Sequence, residues 1–296
     1  MVETKTNKQS TNLVNDDNSE WTTIISPRNS LFDLKLDEVW RYRDLMTLFV
    51  RRDLVAQYKQ TILGPLWYFI QPLLTTLMFT VVFGNIAGIS TDGIPPMLFY
   101  LAGITNWNYF AECLNKTATT FKTNQGIFGK VYFPRLVVPL AVVITSLLKY
   151  GIQMILFLGF YFYFIIKGAP VSPNEMAFLF PLLVIILAGL GLGFGLLFTS
   201  MTTKYRDLVF LLTFGVQLAM YATPVIYPLS EIPADYHWLA VLNPMTSVIE
   251  TFKYGFLGRG TFEWSYLVYS LGFMVLVLLS GIAIFNKTEK NFMDTV

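Results

Sequence analysis

Three ionisable residues, Glu112, Lys116 and Lys149, stand inside long apolar stretches, and chemistry within the chain would start from them. A charge inside hydrocarbon is costly when isolated, so such residues are candidates for an ion or substrate path by default. Glu112 and Lys116 are four apart in the order that favours a helical ion pair, which explains both locally. Lys149 has no obvious partner in the sequence. A proton relay would draw on residues of this kind but needs more carboxylates than Glu112 supplies, so a structural or lumen-lining role is expected for all three.

Other reactive constellations do not assemble. Cys113 and His237 are the single cysteine and the single histidine, which excludes an internal disulfide, a cysteine-built metal site and a histidine-dependent nucleophile. Gly126 to Lys130 lacks the spacing and the following hydroxyl residue of a phosphate-cradling loop. The chain is therefore expected to hold no cofactor or metal, to bind no ATP alone and not to be an enzyme. Aromatic residues offer a different chemistry: Trp67, Tyr68, Tyr109, Tyr221 and Tyr227 could stack the apolar faces of sugar rings while their polar tips bond hydroxyls. Composition alone favours the blander explanation, since Trp and Tyr gather at membrane boundaries in any membrane protein.

The elements that must carry these residues follow from composition. Of 296 residues, 54% are hydrophobic and only 14% charged, more apolar surface than a water-soluble core uses. Nearly uncharged stretches of about 20 residues recur, the length at which a helix crosses hydrocarbon. They predict an all-α integral membrane fold of six spans: 63–86, a second from Pro95 and Pro96 to beyond Lys116, 136–166, 177–200, 208–225 and 264–285. Gly189, Gly191, Gly193 and Gly195 in the fourth give overlapping small-xxx-small pairs that let another helix approach closely.

Residues 1–35 read as a polar, partly disordered cytoplasmic tail, 36–60 as an amphipathic interface helix and 61–296 as the six-span domain with a cytoplasmic C-terminal tail. The cationic face of the interface helix suits anionic membrane lipid. Before the last span, Asn243 as cap, Pro244 as first helical residue and Gly258 as stop predict a helix over 244–256. Too short to cross, it is expected to dip into the membrane and return. Lys and Arg collect at one set of connections, through Arg28 to Lys59, Lys122, Lys130, Arg135, Lys204, Arg206, Lys287 and Lys290; the other set holds only Lys167, Lys253 and Arg259. The basic side should be cytoplasmic, with both termini inside. A net charge of +2 gives no argument for nucleic acid as a partner.

Five stretches carry a family likeness: YRDLMTLFVRRDLVAQYKQTILGPLWYFIQPLL at 42–74, GKVYFPR at 129–135, KYRDL at 204–208, TPVIYP at 223–228 and LNPMTSVIETFKYGFLG at 242–258. In this order the chain resembles the permease subunits of type-two ATP-binding-cassette exporters for lipopolysaccharide O-antigen, capsule or teichoic acid. It departs at Gln57 and Thr223, where many relatives carry a basic residue and Ser.

The resemblance implies a bacterial inner-membrane homodimer with two copies of a separate nucleotide-binding subunit, which would hold ATP and Mg. The substrate would be a polysaccharide linked to undecaprenyl diphosphate, with O-antigen first among the candidates. It also implies that Arg51, Arg52, Asp53, Tyr58 and Lys59, then Lys130, Tyr132, Phe133, Pro134 and Arg135, and finally Tyr205, Arg206 and Asp207 meet that subunit. The five aromatic residues named above would line the lumen.

Overall fold

The computed structural model describes residues 36–59, 61–128, 130–131 and 133–293. The expected N-terminal tail, Tyr132 and the last three residues lie outside them, as does the side chain of Tyr58. Among the described residues every regular element is helical.

The interface segment is a pair of helices, α1 (Leu36–Arg41) and α2 (Arg43–Tyr58), interrupted at Tyr42, whose φ of −91° and ψ of 20° leave the helical range. One side of the pair is covered. Val39, Phe49 and Val50 are buried in a cluster with Phe121, Phe128, Phe133 and Phe285, so the pair is docked against the ends of the long helices. The other side exposes Trp40, Leu48 and Val55, which is the amphipathic division a headgroup boundary favours.

The first apolar stretch opens with a 3-10 turn at Gly64–Leu66, where Pro65 loses no needed amide, then continues as α3 (Trp67–Phe79) and a π-helical turn at Thr80–Ile86. There follow α4 (Pro96–Ala118), α5 (Thr120–Phe128), α6 (Val137–Ile166), α7 (Phe180–Lys204), α8 (Leu208–Tyr221), α9 (Ala234–Leu242), α10 (Pro244–Leu257) and α11 (Trp264–Met293). Four stretches are long and apolar enough to cross a membrane: Gly64–Ile86, Val137–Ile166, Glu175–Lys204 and Trp264–Thr288. The second and fifth expected spans differ from these. α4 has the length, at 23 residues, but carries too many polar groups; α8 is apolar but only 14 residues long.

α7 lies between α4 and α11 and meets both at its glycines. A Cβ on Gly191 would lie 2.6 Å from the Cβ of Cys113 on α4, and one on Gly193 would lie 2.9 Å from the backbone nitrogen of Leu278 on α11. Gly195 also faces α4, at Thr117, and Gly189 faces α11, at Met274. The overlapping pairs thus serve two neighbours, one on each side. Lipid gives helices no hydrophobic reason to associate, so close backbone approach and interhelical hydrogen bonds must hold them. Thr199 Oγ1 donates to the Thr117 carbonyl at 3.1 Å, and Thr202 bonds the Ala118 carbonyl.

α10 begins and ends where the sequence marks it. The Asn243 side chain accepts from the Met245 amide at 3.0 Å, and Gly258 closes the helix with φ at 70°. The same Asn243 donates to Thr223 Oγ1 at 2.8 Å, a contact that requires only a hydroxyl and so accommodates the Thr at this position.

Gly191→Leu should lower stability by about 1–3 kcal/mol or more through overpacking against α4. Gly159→Ala, with nothing within 4 Å of the added carbon, should leave the melting temperature in detergent unchanged or raised. Equal melting of the two variants would contradict the packing described.

Candidate functional site

The polar residues of α3, α4 and α6 fall on facing stripes. Asn108, Glu112 and Lys116 repeat every four residues on α4 with Asn115 beside them, Lys149 and Gln153 do so on α6, and Tyr68 and Gln71 lie three apart on α3. Together they line a cavity of about 480 Å³. It is the mainly polar hollow in this part of an otherwise apolar bundle.

Glu112 is the hinge of its electrostatics. Lys116 Nζ lies 2.6 Å from Glu112 Oε1, and Lys149 Nζ bonds the same oxygen from the opposite helix. Lys149 is 3% exposed, and its ammonium also sits 5.2 Å from the Tyr68 ring. The local Glu112–Lys116 pair expected from spacing is present, but Lys149 does have a partner. Sequence spacing could not find it because the two residues belong to different helices, 37 positions apart. The amides Gln71, Asn108, Asn115 and Gln153 join the site, and their recurrence at helical spacing from the three charges is the sequence signal for them. Two ammoniums, one carboxylate and several amides can bind and orient polar or anionic groups. Among the described residues no group of His, Cys, Asp and Glu could hold a metal ion.

Residues 44–257 match the ABC-2 type transporter family, well over half of the chain. The chain belongs to that family. It is similar to an O-antigen export system permease protein of Klebsiella pneumoniae, 26% identical over 85% of this chain and 94% of that protein. Similarity to the O-antigen export system permease protein of Myxococcus xanthus is 26% over 88% of this chain and 98% of that protein. A polysialic acid transport protein of Escherichia coli is 23% identical over 81% of this chain and 91% of its own length. The ABC-2 assignment makes this a multi-pass membrane subunit of a transporter, in keeping with its apolar helices.

In this ABC-2 chain the expected aromatic path divides. Trp67 is half exposed at the start of α3, and Tyr68 lines the polar cavity. Tyr221 ends α8 and Tyr227 follows it; the Tyr227 hydroxyl donates to the Tyr221 carbonyl at 3.1 Å, and Tyr227 borders a surface hollow with residues 87–90. Tyr109 departs from the expected lumen position. It is 2% exposed and stacked on Tyr150 at 4.9 Å between ring centroids, so α4–α6 packing consumes its face.

The residues expected to meet a partner subunit also divide. Arg51, Lys59, Lys130, Tyr205, Arg206 and Asp207 are exposed, and Pro134 is partly so. Phe133 and Arg135 turn inward, 4% and 5% exposed. The Arg135 guanidinium lies 5.8 Å from the Phe121 ring and 5.4 Å from that of Phe128, and Phe133 packs 5.7 Å from Phe49. A weakly hydrated planar cation stacks on aromatic faces, which explains why this arginine anchors the loop to α5. Arg52 is likewise engaged within the chain, by Asp53 at 2.8 Å and by Asn124 Oδ1 at 3.1 Å.

Lys253 corrects another expectation. Counted with the outer connections, it is 1% exposed, donates to the Pro224 carbonyl at 2.6 Å, pairs with Glu250 at 3.3 Å and lies 3.7 Å from the Phe99 ring. It clamps α10 to α4 and to the segment after α8.

Glu112→Gln should be the more costly change in the cavity, because it leaves two ammoniums without a carboxylate. Lys149→Met should be nearly neutral, since Lys116 still satisfies Glu112. Thermal unfolding of the purified variants checks the order, and a reversed order would contradict the shared-carboxylate arrangement.

Proposed function

We propose that this chain is the membrane subunit of an ATP-driven exporter of a lipid-linked polysaccharide, with O-antigen first among candidate substrates. One observation carries the reading: the chain aligns with 94% of the length of an O-antigen export permease, so the likeness covers the whole transport unit. The aromatic residues bordering hollows, Tyr68 and Tyr227, supply ring faces on which sugars can stack.

In this proposal six segments cross the inner membrane. α4 is the second span, tolerated because its polar residues face the cavity, and α8 with the turns that follow it is the fifth. α10 is re-entrant, its loose backbone ends covered by protein. Both termini are cytoplasmic. Removing Lys253 from the exposed outer charges leaves only Lys167 and Arg259 there and sharpens the bias toward a basic interior. Two copies assemble, with the broad apolar faces of α3 and α8, such as Leu77, Met78, Phe210 and Phe214, left for lipid or a second copy. Trp67, Tyr68, Tyr221 and Tyr227 line the glycan path.

ATP and Mg belong to two copies of a nucleotide-binding subunit docked on the exposed residues of α2 and of the short connections, Arg51, Lys59, Lys130 and Tyr205 to Asp207. Closure of those subunits moves α2 and the loop held by Arg135. Because both are packed on the ends of the long helices, the motion reaches the paired permeases as rigid-body displacement. The glycan advances in steps through the paired spans.

A clean deletion should leave long glycans on the inner leaflet, detected by cell fractionation and glycan gels; normal surface glycan would contradict export. Arg51→Glu combined with Arg206→Glu should reduce co-purification of the nucleotide-binding subunit without lowering stability, whereas Phe133→Ala should lower stability by about 3 kcal/mol. Undiminished co-purification would remove these arginines from the docking surface.

A further inference from the structure

We propose that the apolar groove between α4, α7 and α8 seats one acyl chain of an anionic membrane phospholipid, with its headgroup at the connection between α7 and α8. The groove has a volume of about 430 Å³ and is walled by Trp107, Phe110, Phe194, Phe198, Leu212 and Val216. Its polar side chains Thr202 and Asn243 are already engaged. Thr202 Oγ1 bonds the Phe198 carbonyl at 3.1 Å, and Asn243 is divided between the Met245 amide and Thr223. A hollow with such walls stays dry and takes apolar ligands, because left empty it forfeits the dispersion contacts of every side chain around it.

Gly215 shows that no helix of this chain fills the space. Small residues among membrane spans usually mark a close helix approach, as the glycines of α7 do. Gly215 also lines the groove, yet a Cβ added to it would have nothing within 4 Å. Leu212, Gly215 and Ala219 share one face of α8, whereas the exposed Phe210 and Phe214 lie on another. The exposed stripe stays free for a second copy, and the slot beside Gly215 suits a slender chain. Its depth fits as well. α8 walls it from Leu208 to Ala219, about 16 Å at 1.5 Å per residue, against about 15 Å for half the hydrocarbon core.

Charge selects the headgroup. Met201 and Thr202 near the end of α7 and Leu208 at the start of α8 line one end of the groove, so the connection 204–207 stands at its mouth. Lys204 and Arg206 are exposed there, with Asp207 the single acidic residue of the connection. α8 begins beside them without a side-chain cap, which places the positive end of its dipole at the same mouth. A phosphate with no ammonium of its own suits that end, and a zwitterionic headgroup brings a cation against it. In the orientation of the transport reading above, the lipid belongs to the cytoplasmic leaflet.

The test uses the full chain in nanodiscs and reads quenching of Trp107, isolated by subtracting the signal of Trp107→Phe. Phosphatidylglycerol and phosphatidylcholine with the same brominated acyl chains are compared at equal mole fraction. Brominated phosphatidylglycerol should quench at about fivefold lower content, the worth of one basic residue near a charged lipid. Lys204→Gln should reduce that preference. Gly215→Leu fills the slot from within and should abolish the phosphatidylglycerol quenching without lowering the melting temperature; Ala219→Leu on the same face should do likewise. Equal quenching by the two lipids would overturn the anionic headgroup. Undiminished quenching in both filled variants would place the chain outside the groove and overturn the site. Trp107 quenched by neither lipid, with Gly215→Leu splitting a dimer on size exclusion, would give the groove to a second copy. Normal surface glycan in a deletion strain, with the phosphatidylglycerol preference intact, removes the export reading and keeps the lipid site.

Discussion

Hydrocarbon supplies no hydrogen bonds, so every polar group that enters the spans of this chain has to be answered by another part of the protein. The shared carboxylate of Glu112 is where that constraint bears hardest. It draws Lys149 of α6 and Lys116 of α4 to one oxygen where the facing stripes of those two helices meet. Other polar groups of α4 are met in the same way, although Thr105 Oγ1, Asn115 Oδ1 and Thr117 Oγ1 are buried without a hydrogen-bond partner among the described residues. Thr199 and Thr202 of α7 bond the carbonyls of Thr117 and Ala118, and Tyr150 donates to Asn106 at 2.9 Å. A helix too polar to face lipid is thereby enclosed by its neighbours, and the enclosure creates the cavity on which the proposed transport chemistry rests.

Rigidity and freedom are distributed unevenly around this centre. α4, α7 and α11 approach through glycines, and α10 is clamped by Lys253 and capped at both ends. α3 and α8 are held on one side only, leaving Leu74, Leu77 and Met78 of α3 and Phe210, Leu211, Phe214 and Leu218 of α8 exposed. Tightly packed elements move as bodies, so a push delivered to α2 would be carried by the central helices, while the loosely held faces of α3 and α8 are where arrangement against lipid or a second copy can change. An apolar groove of about 430 Å³ between α4, α7 and α8, walled by Trp107, Phe194 and Leu212, lies at that looser boundary.

Much of the scaffold was legible because its signals are local. α6 was expected over 136–166 and runs Val137–Ile166, and α10 was expected over 244–256 and runs Pro244–Leu257, since caps, proline and glycine act within a few residues. What spacing could not give was partnership at a distance. Lys149 finds Glu112 on another helix, Arg135 lies across the rings of α5, and Lys253 is enclosed by Pro224 and Phe99. Each is a cation whose surroundings are set by tertiary packing, which neither the loop count that included Arg135 and Lys253 nor the helical spacing around Lys149 can report. The glycines of α7 were readable as a packing signal, but not that alternate members face different helices.

The most direct measurement is the aqueous access of the cavity, read by charged methanethiosulfonate labelling of variants with one introduced cysteine in sealed inverted vesicles and in whole cells. Cys113 is fully buried and makes a quiet background. Gln153→Cys should label in inverted vesicles, while Val81→Cys on the exposed apolar face of the first stretch should not. A Gln153→Cys variant that stays unlabelled from both sides would mean that no polar cavity opens among these helices, and the transport path built on it would fall.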